Sequence, residues 1–166
     1  MKIARRQFLH AGSTFAALGA FGALAFNSRG AVAATEAAFE VTHTEEEWKK
    51  ILSPNAFQVL RKEATERPFS SPLNEEHRNG IFRCAGCDLD LYASATKFES
   101  GTGWPSFWQP LDNAIGTTTD RTFGMARTAV HCRRCGGHLG HVFNDGPKPT
   151  GSRYCMNGLA MKFVPA

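Results

Sequence analysis

The sequence predicts an α+β fold that is mainly β, and three observations lead to this prediction. Two helix-start signals stand between residues 44 and 54. From Ile81 onward the chain consists of short apolar runs broken by Gly, Pro, Asn and Asp, which is typical of short antiparallel strands. About 130 residues follow an N-terminal leader, and this is the length of one domain.

The leader predicts an export signal. The adjacent arginines Arg5 and Arg6 precede an apolar, Gly/Ala-rich run from 11 to 26, and the triplet at 31–33 reads A-V-A. A basic start, a short apolar stretch and an A-x-A end describe a secretory signal, and paired arginines indicate the twin-arginine route. A retained membrane anchor is the alternative, although the run is shorter than the ~20 apolar residues of a span.

The predicted organisation therefore has three parts, and the protein is expected to be periplasmic or otherwise exported. They are a twin-arginine signal peptide at 1–33, a linker at 34–41 and one domain at 42–166.

The positive charge of the chain lies in the leader. Four of the 19 basic residues precede residue 34, where there is no acidic residue, so 15 basic and 15 acidic residues remain. A neutral domain gives no reason to expect nucleic acid or an anionic surface as a partner. We expect a monomer with no stable membrane association after signal removal.

Two helices are predicted ahead of the strands. Thr44 and Glu47 form a capping box, in which each side chain bonds the other residue's backbone amide. Ser53 and Pro54 cap and open a second helix, which should end before Arg67. Both helices are expected to dock on the domain and to carry no chemistry. The strands are predicted at 81–83, 89–92, 115–119, 126–131, 141–143 and 159–164.

Four of the five cysteines form two C-x-x-C pairs, 44 residues apart. Two such pairs on tight turns present four thiolates to one tetrahedral Zn²⁺, a closed and therefore structural site. Two disulfide or redox C-x-x-C sites are the alternative, because export leads to an oxidising compartment. The predicted zinc ligands are Cys84, Cys87, Cys132 and Cys135.

The fifth cysteine, Cys155, is the candidate nucleophile. Arg153 would share its face in a strand, and the guanidinium would favour the thiolate. A buried, inert cysteine is the alternative. His138 and His141 favour acid catalysis beside a thiol, with Asp145 close by in sequence. A second metal site, or histidines that are simply hydrogen-bonded, is the alternative for this group.

Four segments in order resemble the MsrB family, the peptide methionine-(R)-sulfoxide reductases, across residues 42 to 164. The four segments are FRCAGC from Phe82, SGTGWPSF from Ser100, CRRCGGHLGHVF from Cys132, and RYCMN from Arg153.

The resemblance implies two small antiparallel sheets, N-terminal helices alongside and a structural zinc away from the active site. It also implies Cys155 as the nucleophile and Trp104 as the wall that faces the substrate methyl group, with Phe143 as a second substrate-binding aromatic. The remaining catalytic positions that it implies are His138, His141, Asp145, Arg153 and Asn157, the last two beside the sulfur.

Thr102 departs from the commoner family pattern, in which a resolving cysteine occupies this position. A threonine forms no disulfide, so a Cys155 sulfenic acid would need an external small thiol or a thioredoxin-like reductant. The expected substrates are oxidised proteins that carry methionine-(R)-sulfoxide. Two rival functions stay open: a zinc-stabilised binding module with an inert Cys155, and a thiol-disulfide oxidoreductase that uses its C-x-x-C pairs.

Overall fold

The computed structural model describes residues 39–166, and within this range the fold is mainly β, with two helices ahead of the strands. Helix α1 spans Glu45–Ile51 and helix α2 spans Pro54–Lys62. The predicted leader, 1–33, and part of the predicted linker lie outside the described residues. Between 39 and 166, no helix has the length and apolar character that a membrane crossing requires.

Both helix-start predictions are confirmed. The Thr44 hydroxyl accepts a hydrogen bond from the Glu47 amide at 3.3 Å, and the Glu47 carboxylate accepts from the Thr44 amide at 2.8 Å. The Ser53 hydroxyl accepts from the Ala56 amide at 3.2 Å. Helix α2 ends several residues earlier than predicted, because Glu63 adopts a left-handed conformation with φ of 57°.

The strands form two antiparallel sheets, as the resemblance implied. One sheet has three strands in the order β2-β1-β9, and the other has six in the order β3-β4-β8-β7-β6-β5, so only the first is small. The strands are β1 Gly80–Cys84, β2 Asp90–Ala93, β3 Lys97–Phe98, β4 Ser106–Phe107, β5 Ile115–Asp120, β6 Arg127–Cys132, β7 His138–Phe143, β8 Arg153–Met156 and β9 Met161–Pro165.

All six predicted strands are present, with shifted ends. The largest shift is in β7, which begins at His138 instead of His141. Three strands were not predicted: β3 and β4, which have only two residues each, and β8, the four-residue strand that carries Cys155. Strands this short give too few residues for an alternating pattern to be visible.

An aromatic core fills the space between the two sheets. Phe82 and Tyr92 come from the three-stranded sheet, whereas Phe107 and Met156 come from the six-stranded sheet, and all four are fully buried. The Tyr92 and Phe107 rings stack with centroids 4.3 Å apart, and the Tyr92 hydroxyl lies 3.2 Å from the Met156 sulfur. Since strand neighbours point to opposite faces, Cys155 must point away from this core.

Candidate active site

The outer face of the six-stranded sheet brings the candidate nucleophile and acid together. In the strand register, Cys155 on β8 lies between Ser106 on β4 and His141 on β7, and His141 in turn pairs with Ala129 on β6. Directly paired residues point to the same face, with Cβ atoms about 5 Å apart. Cys155 and His141 are therefore cross-strand neighbours, as the sequence analysis required.

A β-bulge turns the second histidine onto the same face. His138 and His141 are three residues apart, so a regular strand would point them to opposite faces. The β6–β7 register shifts at Val130, however, because two β7 residues there oppose a single β6 residue. The two imidazole rings consequently meet edge to face with centroids 5.4 Å apart.

Cys155 is half-buried, and its nearest polar neighbour is the Thr102 hydroxyl, 3.8 Å from the sulfur. Burial raises the pKa of the Cys155 thiol, and this outweighs the opposing influence of Thr102 and of the Arg153 charge. The sequence analysis expected a net preference for the thiolate. The raised pKa instead favours the thiol form in the absence of a ligand.

Arg153 is held in place by two neighbours that the sequence analysis also selected. Its guanidinium makes two hydrogen bonds of 2.9 Å to the Asp145 carboxylate and lies over the Phe143 ring at 4.4 Å. Arg153 is buried, whereas the Asp145 side chain is 62% exposed. Asp145 therefore orients a buried cation, and that cation favours the Cys155 thiolate.

The sequence analysis missed Asp120, the carboxylate that holds His141. The Asp120 Oδ2 atom lies 2.9 Å from the His141 Nε2 atom, and the Asp120 side chain is only 15% exposed. The amide and hydroxyl of Thr122 and the guanidinium of Arg127 also donate to Asp120. These bonds, with Thr122 foremost, hold the pKa of Asp120 well below its usual range, so it is a permanent anion.

Asp120 and His141 are not paired in the sheet, since strand β6 lies between their strands. The imidazole reaches across β6 at Ala129, whose side chain is a single methyl group. The only sequence signal for Asp120 is its position at the end of a predicted strand, two residues before Thr122, a common turn pattern.

His138 is uncharged, whereas Asp120 is an anion. It is 5% exposed, and its Nε2 atom has no hydrogen-bond partner. Burial, followed by the neighbouring His141, lowers the pKa of His138 to about 4. His138 is therefore neutral near pH 7, and its Nε2 atom is a buried polar group without a partner among the described residues.

Trp104 and Asn157 are joined through Glu66, a second residue that the sequence analysis missed. The Trp104 indole donates to the Glu66 carbonyl at 3.1 Å, and the Asn157 amide oxygen accepts from the Glu66 amide at 3.0 Å. The Asn157 amide nitrogen donates to the Leu139 carbonyl, so neither of the hydrogen bonds of this side chain goes to the Cys155 sulfur. Glu66 follows helix α2, so the helical region contributes to the site although no chemistry was expected from it.

The Glu66 side chain is itself buried beneath the end of β8. Its carboxylate accepts hydrogen bonds from the Gly158 and Leu159 amides. Burial raises the pKa of Glu66 even though these two amides favour its charged form. The residue therefore ties the chain after α2 to the chain after Cys155.

The other four cysteines form a separate cluster. Their sulfurs all lie within 4.8 Å of one another, with Cys84 to Cys135 at 3.7 Å and Cys87 to Cys132 at 3.5 Å. These separations exceed the ~2.05 Å of a disulfide, and they approach the ~3.8 Å between ligands in a tetrahedron with 2.3 Å zinc–sulfur bonds. The cluster could hold a metal ion.

Comparison with known proteins agrees with this geometry. A model of the SelR domain matches residues 52–165. The peptide methionine sulfoxide reductase MsrB of Leptospira interrogans is 48% identical over 126 residues, which cover 75% of this chain and 96% of the relative. The MsrB proteins of Pseudomonas putida strain W619 and Bradyrhizobium diazoefficiens are 50% and 51% identical over 127 residues, covering 76% of this chain and 96% and 91% of the relatives.

A lone cysteine beside two imidazoles, apart from a four-cysteine cluster, is an arrangement that fits an oxidoreductase. The chain belongs to the SelR family, that of the MsrB peptide methionine sulfoxide reductases. It is a peptide-methionine (R)-S-oxide reductase, an enzyme that repairs oxidised methionine and consumes a reductant. The binding module and the C-x-x-C oxidoreductase are thereby set aside.

Proposed function

We propose that Cys155 is the nucleophile of this reductase and that it passes through a sulfenic acid. The observation that carries the proposal is the cross-strand pairing of Cys155 with His141 on the outer sheet face. A second support is that Cys155 stands outside the four-cysteine cluster and is accessible enough to meet a substrate.

The reaction begins when the Cys155 sulfur attacks the sulfoxide sulfur and the oxygen takes up a proton. The hydroxyl then passes to Cys155: the methionine S–O bond and the new S–S bond both break, and an S–O bond to Cys155 forms. The proton lost by the thiol offsets the proton gained by the oxygen, so Cys155 is left as sulfenic acid and the substrate as methionine. The sulfoxide gains two electrons, and the thiol loses two. An attacking sulfur and a neutralised oxygen are both needed, so neither group alone should be effective.

His141 supplies the proton in this proposal, and Asp120 positions it. A carboxylate only accepts hydrogen bonds, so the Asp120 contact requires His141 to carry a proton on Nε2. The Nδ1 atom is then the position from which the imidazolium donates to the sulfoxide oxygen. His138 is neutral in this proposal, so it does not serve as a second acid.

Trp104 would contact the methyl group of the substrate, with Phe143 as a second aromatic surface. The bond from Trp104 to the Glu66 carbonyl fixes the indole orientation, and Asn157 fixes Glu66 from the other side. Asn157 is therefore a positioning residue in this proposal. The preference for the R epimer would depend on where the sulfoxide oxygen meets its donors, since one methyl contact discriminates only by about 1 to 3 kcal/mol.

Regeneration requires an external thiol, either a small thiol or the exposed cysteine of a thioredoxin-like protein. A first thiol condenses with the sulfenic acid to give a mixed disulfide and water, and a second thiol then releases Cys155. The position next to the sulfur is occupied by the Thr102 hydroxyl, which cannot carry out the first step.

The four-cysteine cluster is proposed to hold a structural Zn²⁺. Four sulfur ligands suit zinc and leave no open position for a substrate. Four thiolates at this spacing would repel one another, so a full set of them needs a cation. When bound, the ion would link the two sheets, because Cys84 ends β1 and Cys132 ends β6.

Export to the periplasm by the twin-arginine route is a further part of the proposal, and it depends on the sequence of residues 1–33 alone. That route carries folded cargo, which would allow the metal to be bound before export. The test is cell fractionation of the chain and of its Arg5→Lys/Arg6→Lys variant. Retention of wild-type protein in the cytoplasm would overturn this part.

The central experiment compares the R and S epimers of a methionine sulfoxide peptide, with dithiothreitol as the reductant. The R epimer alone should be reduced. After a single turnover without reductant, mass spectrometry should detect one oxygen on Cys155. Equal reduction of both epimers, or a disulfide to Cys155, would contradict the proposal.

Thr102→Cys supplies the matched control for the resolving step. A thiol at the place of the Thr102 hydroxyl lies close enough to Cys155 to condense with its sulfenic acid. The variant should therefore lose the added oxygen and gain a disulfide between the introduced thiol and Cys155 after one turnover, while wild-type protein keeps the oxygen.

A further inference from the structure

Phe69 is an exposed phenylalanine in an unfavourable backbone conformation. Its side chain is 74% exposed, and its φ of 61° lies in the left-handed region. Bulky residues rarely adopt this conformation because the side chain crowds the backbone, so it persists only where its surroundings impose it. Strain of this kind is concentrated at functional sites, which makes an observed case a reason to look for a function.

Phe69 contacts the chain at residues 102–104, which we call the active-site loop. The Phe69 amide donates to the Gly103 carbonyl at 2.7 Å, and the Asn74 side chain donates to the same oxygen at 3.1 Å. Gly103 has a φ of 91°, and a Cβ atom there would stand 2.8 Å from the Phe69 amide nitrogen and 2.9 Å from its ring. The absence of a side chain at 103 is what lets the Phe69 segment lie on the loop.

The loop connects Phe69 to the reacting sulfur within a few residues. Thr102, immediately before Gly103, lies 3.8 Å from Cys155, and Trp104, immediately after it, forms the proposed methyl-binding wall. The bond between Trp104 and the Glu66 carbonyl ties the start of the Phe69 segment to that wall. Phe69 thus stands at the rim of the site, with its ring turned to solvent.

We propose that Phe69 binds an apolar side chain next to the methionine sulfoxide in an unfolded polypeptide. This inference rests on the proposed function, because it extends the same site along the substrate chain. A solvent-exposed phenyl group gains free energy only when apolar surface covers it, and flanking residues of the substrate are what the adjoining site brings there. Methionines from protein cores, which have apolar neighbours, would then be preferred over free methionine sulfoxide.

The test compares three R-sulfoxide substrates with dithiothreitol as the reductant. They are acetyl-Gly-Leu-MetO-Leu-Gly-amide, the same peptide with Ser in place of Leu, and N-acetylmethionine sulfoxide. For Phe69→Ala, kcat/KM for the Leu-flanked peptide should fall about fivefold to tenfold, mainly through KM. The loss should be under twofold for the other two substrates, and Phe69→Leu should restore much of the loss.

Ile51→Ala is the matched control, because Ile51 is also an exposed apolar residue, at 50%, but lies on helix α1. It should change none of the three rates. An equal loss by Phe69→Ala on all three substrates would make Phe69 a structural residue of the loop and overturn the proposal, as would no loss on any. Wild-type inactivity on all three would refute the proposed function itself, and this outcome is distinct from both.

Discussion

The four clustered cysteines and Cys155 have the same kind of side chain but different neighbours. The four sulfurs of the cluster are mostly buried and have one another as neighbours, at separations below 4.8 Å. Cys155 has a hydroxyl, an imidazole strand neighbour and a nearby guanidinium, and it is half-buried on an outer sheet face. The comparison teaches that the neighbours of a thiol decide which role it is suited to: four close sulfurs could hold a metal ion, whereas a single sulfur beside an imidazole is a candidate nucleophile.

The sharpest test of this division is to remove each kind of sulfur separately. Cys155→Ser should lower the rate of R-sulfoxide peptide reduction by about 10⁴-fold or more, because hydroxyl oxygen does not replace the attacking sulfur. The same variant should keep its metal content and its midpoint of urea unfolding. Residual activity above about one per cent would mean that a cluster sulfur can substitute for Cys155.

Metal removal should produce the opposite pattern. Cys132→Ser, or treatment with a strong chelator, should lower the free energy of unfolding by about 5 kcal/mol or more, because the link between the two sheets is lost. Urea titration followed by tryptophan fluorescence measures this change. An unchanged midpoint after complete metal removal would show that the cluster does not stabilise the fold through an ion.

The third test concerns Asp120, the carboxylate that holds His141 next to Cys155. His141→Asn should lower kcat by about 10² to 10⁴-fold, and Asp120→Asn by about 10 to 100-fold, since the latter loses only the positioning of His141. Nitrogen NMR should find the proton of neutral His141 on Nε2 in wild-type protein and on either nitrogen in Asp120→Asn.

Thr117→Ala is the control for this pair, because Thr117 lies on the same strand as Asp120 and is exposed. It should leave both the rate and the NMR spectrum unchanged. A wild-type imidazole with its proton on Nδ1 would contradict the assigned role of Asp120.

The last test concerns the dependence of stability on the neutral state of His138. Its pKa is about 4 in the folded protein and near 6.5 when unfolded, so the unfolded chain binds more protons between these values. Stability should therefore fall as pH drops from about 6.5 to 4, by up to about 3 kcal/mol.

Urea titrations at pH 7, 5 and 4 give the free energies of unfolding of wild-type protein and of His138→Gln. The four-cysteine cluster is the same in both proteins, so its acid sensitivity cancels when the two free energies are subtracted. His77→Gln, at an exposed position, is the control. Identical pH slopes for wild type and His138→Gln would show that His138 is not buried in its neutral form.

The residues that the sequence revealed and those that it hid differ in the kind of contact they make. The capping box, the C-x-x-C pairs and the predicted strands are local patterns, and all of them are found in the fold. Asp120 and Glu66 contact partners 21 and up to 93 residues away, so no local pattern reveals these contacts. The raised pKa of Cys155 could not be predicted either, because it depends on burial, and the spacing of residues in the sequence does not give the burial of a side chain.

The bond between Trp104 and Glu66 sets a lower limit on the functional fragment. A chain cut just before β1 would retain every cysteine, both histidines and the whole Trp-Pro-Ser-Phe segment, and would look complete by its motifs. It would have lost the carbonyl that orients the indole and the carboxylate that holds the backbone after Cys155. The stretch between α2 and β1 therefore supports both Trp104 and the backbone after Cys155, and shortening it for expression would remove both supports.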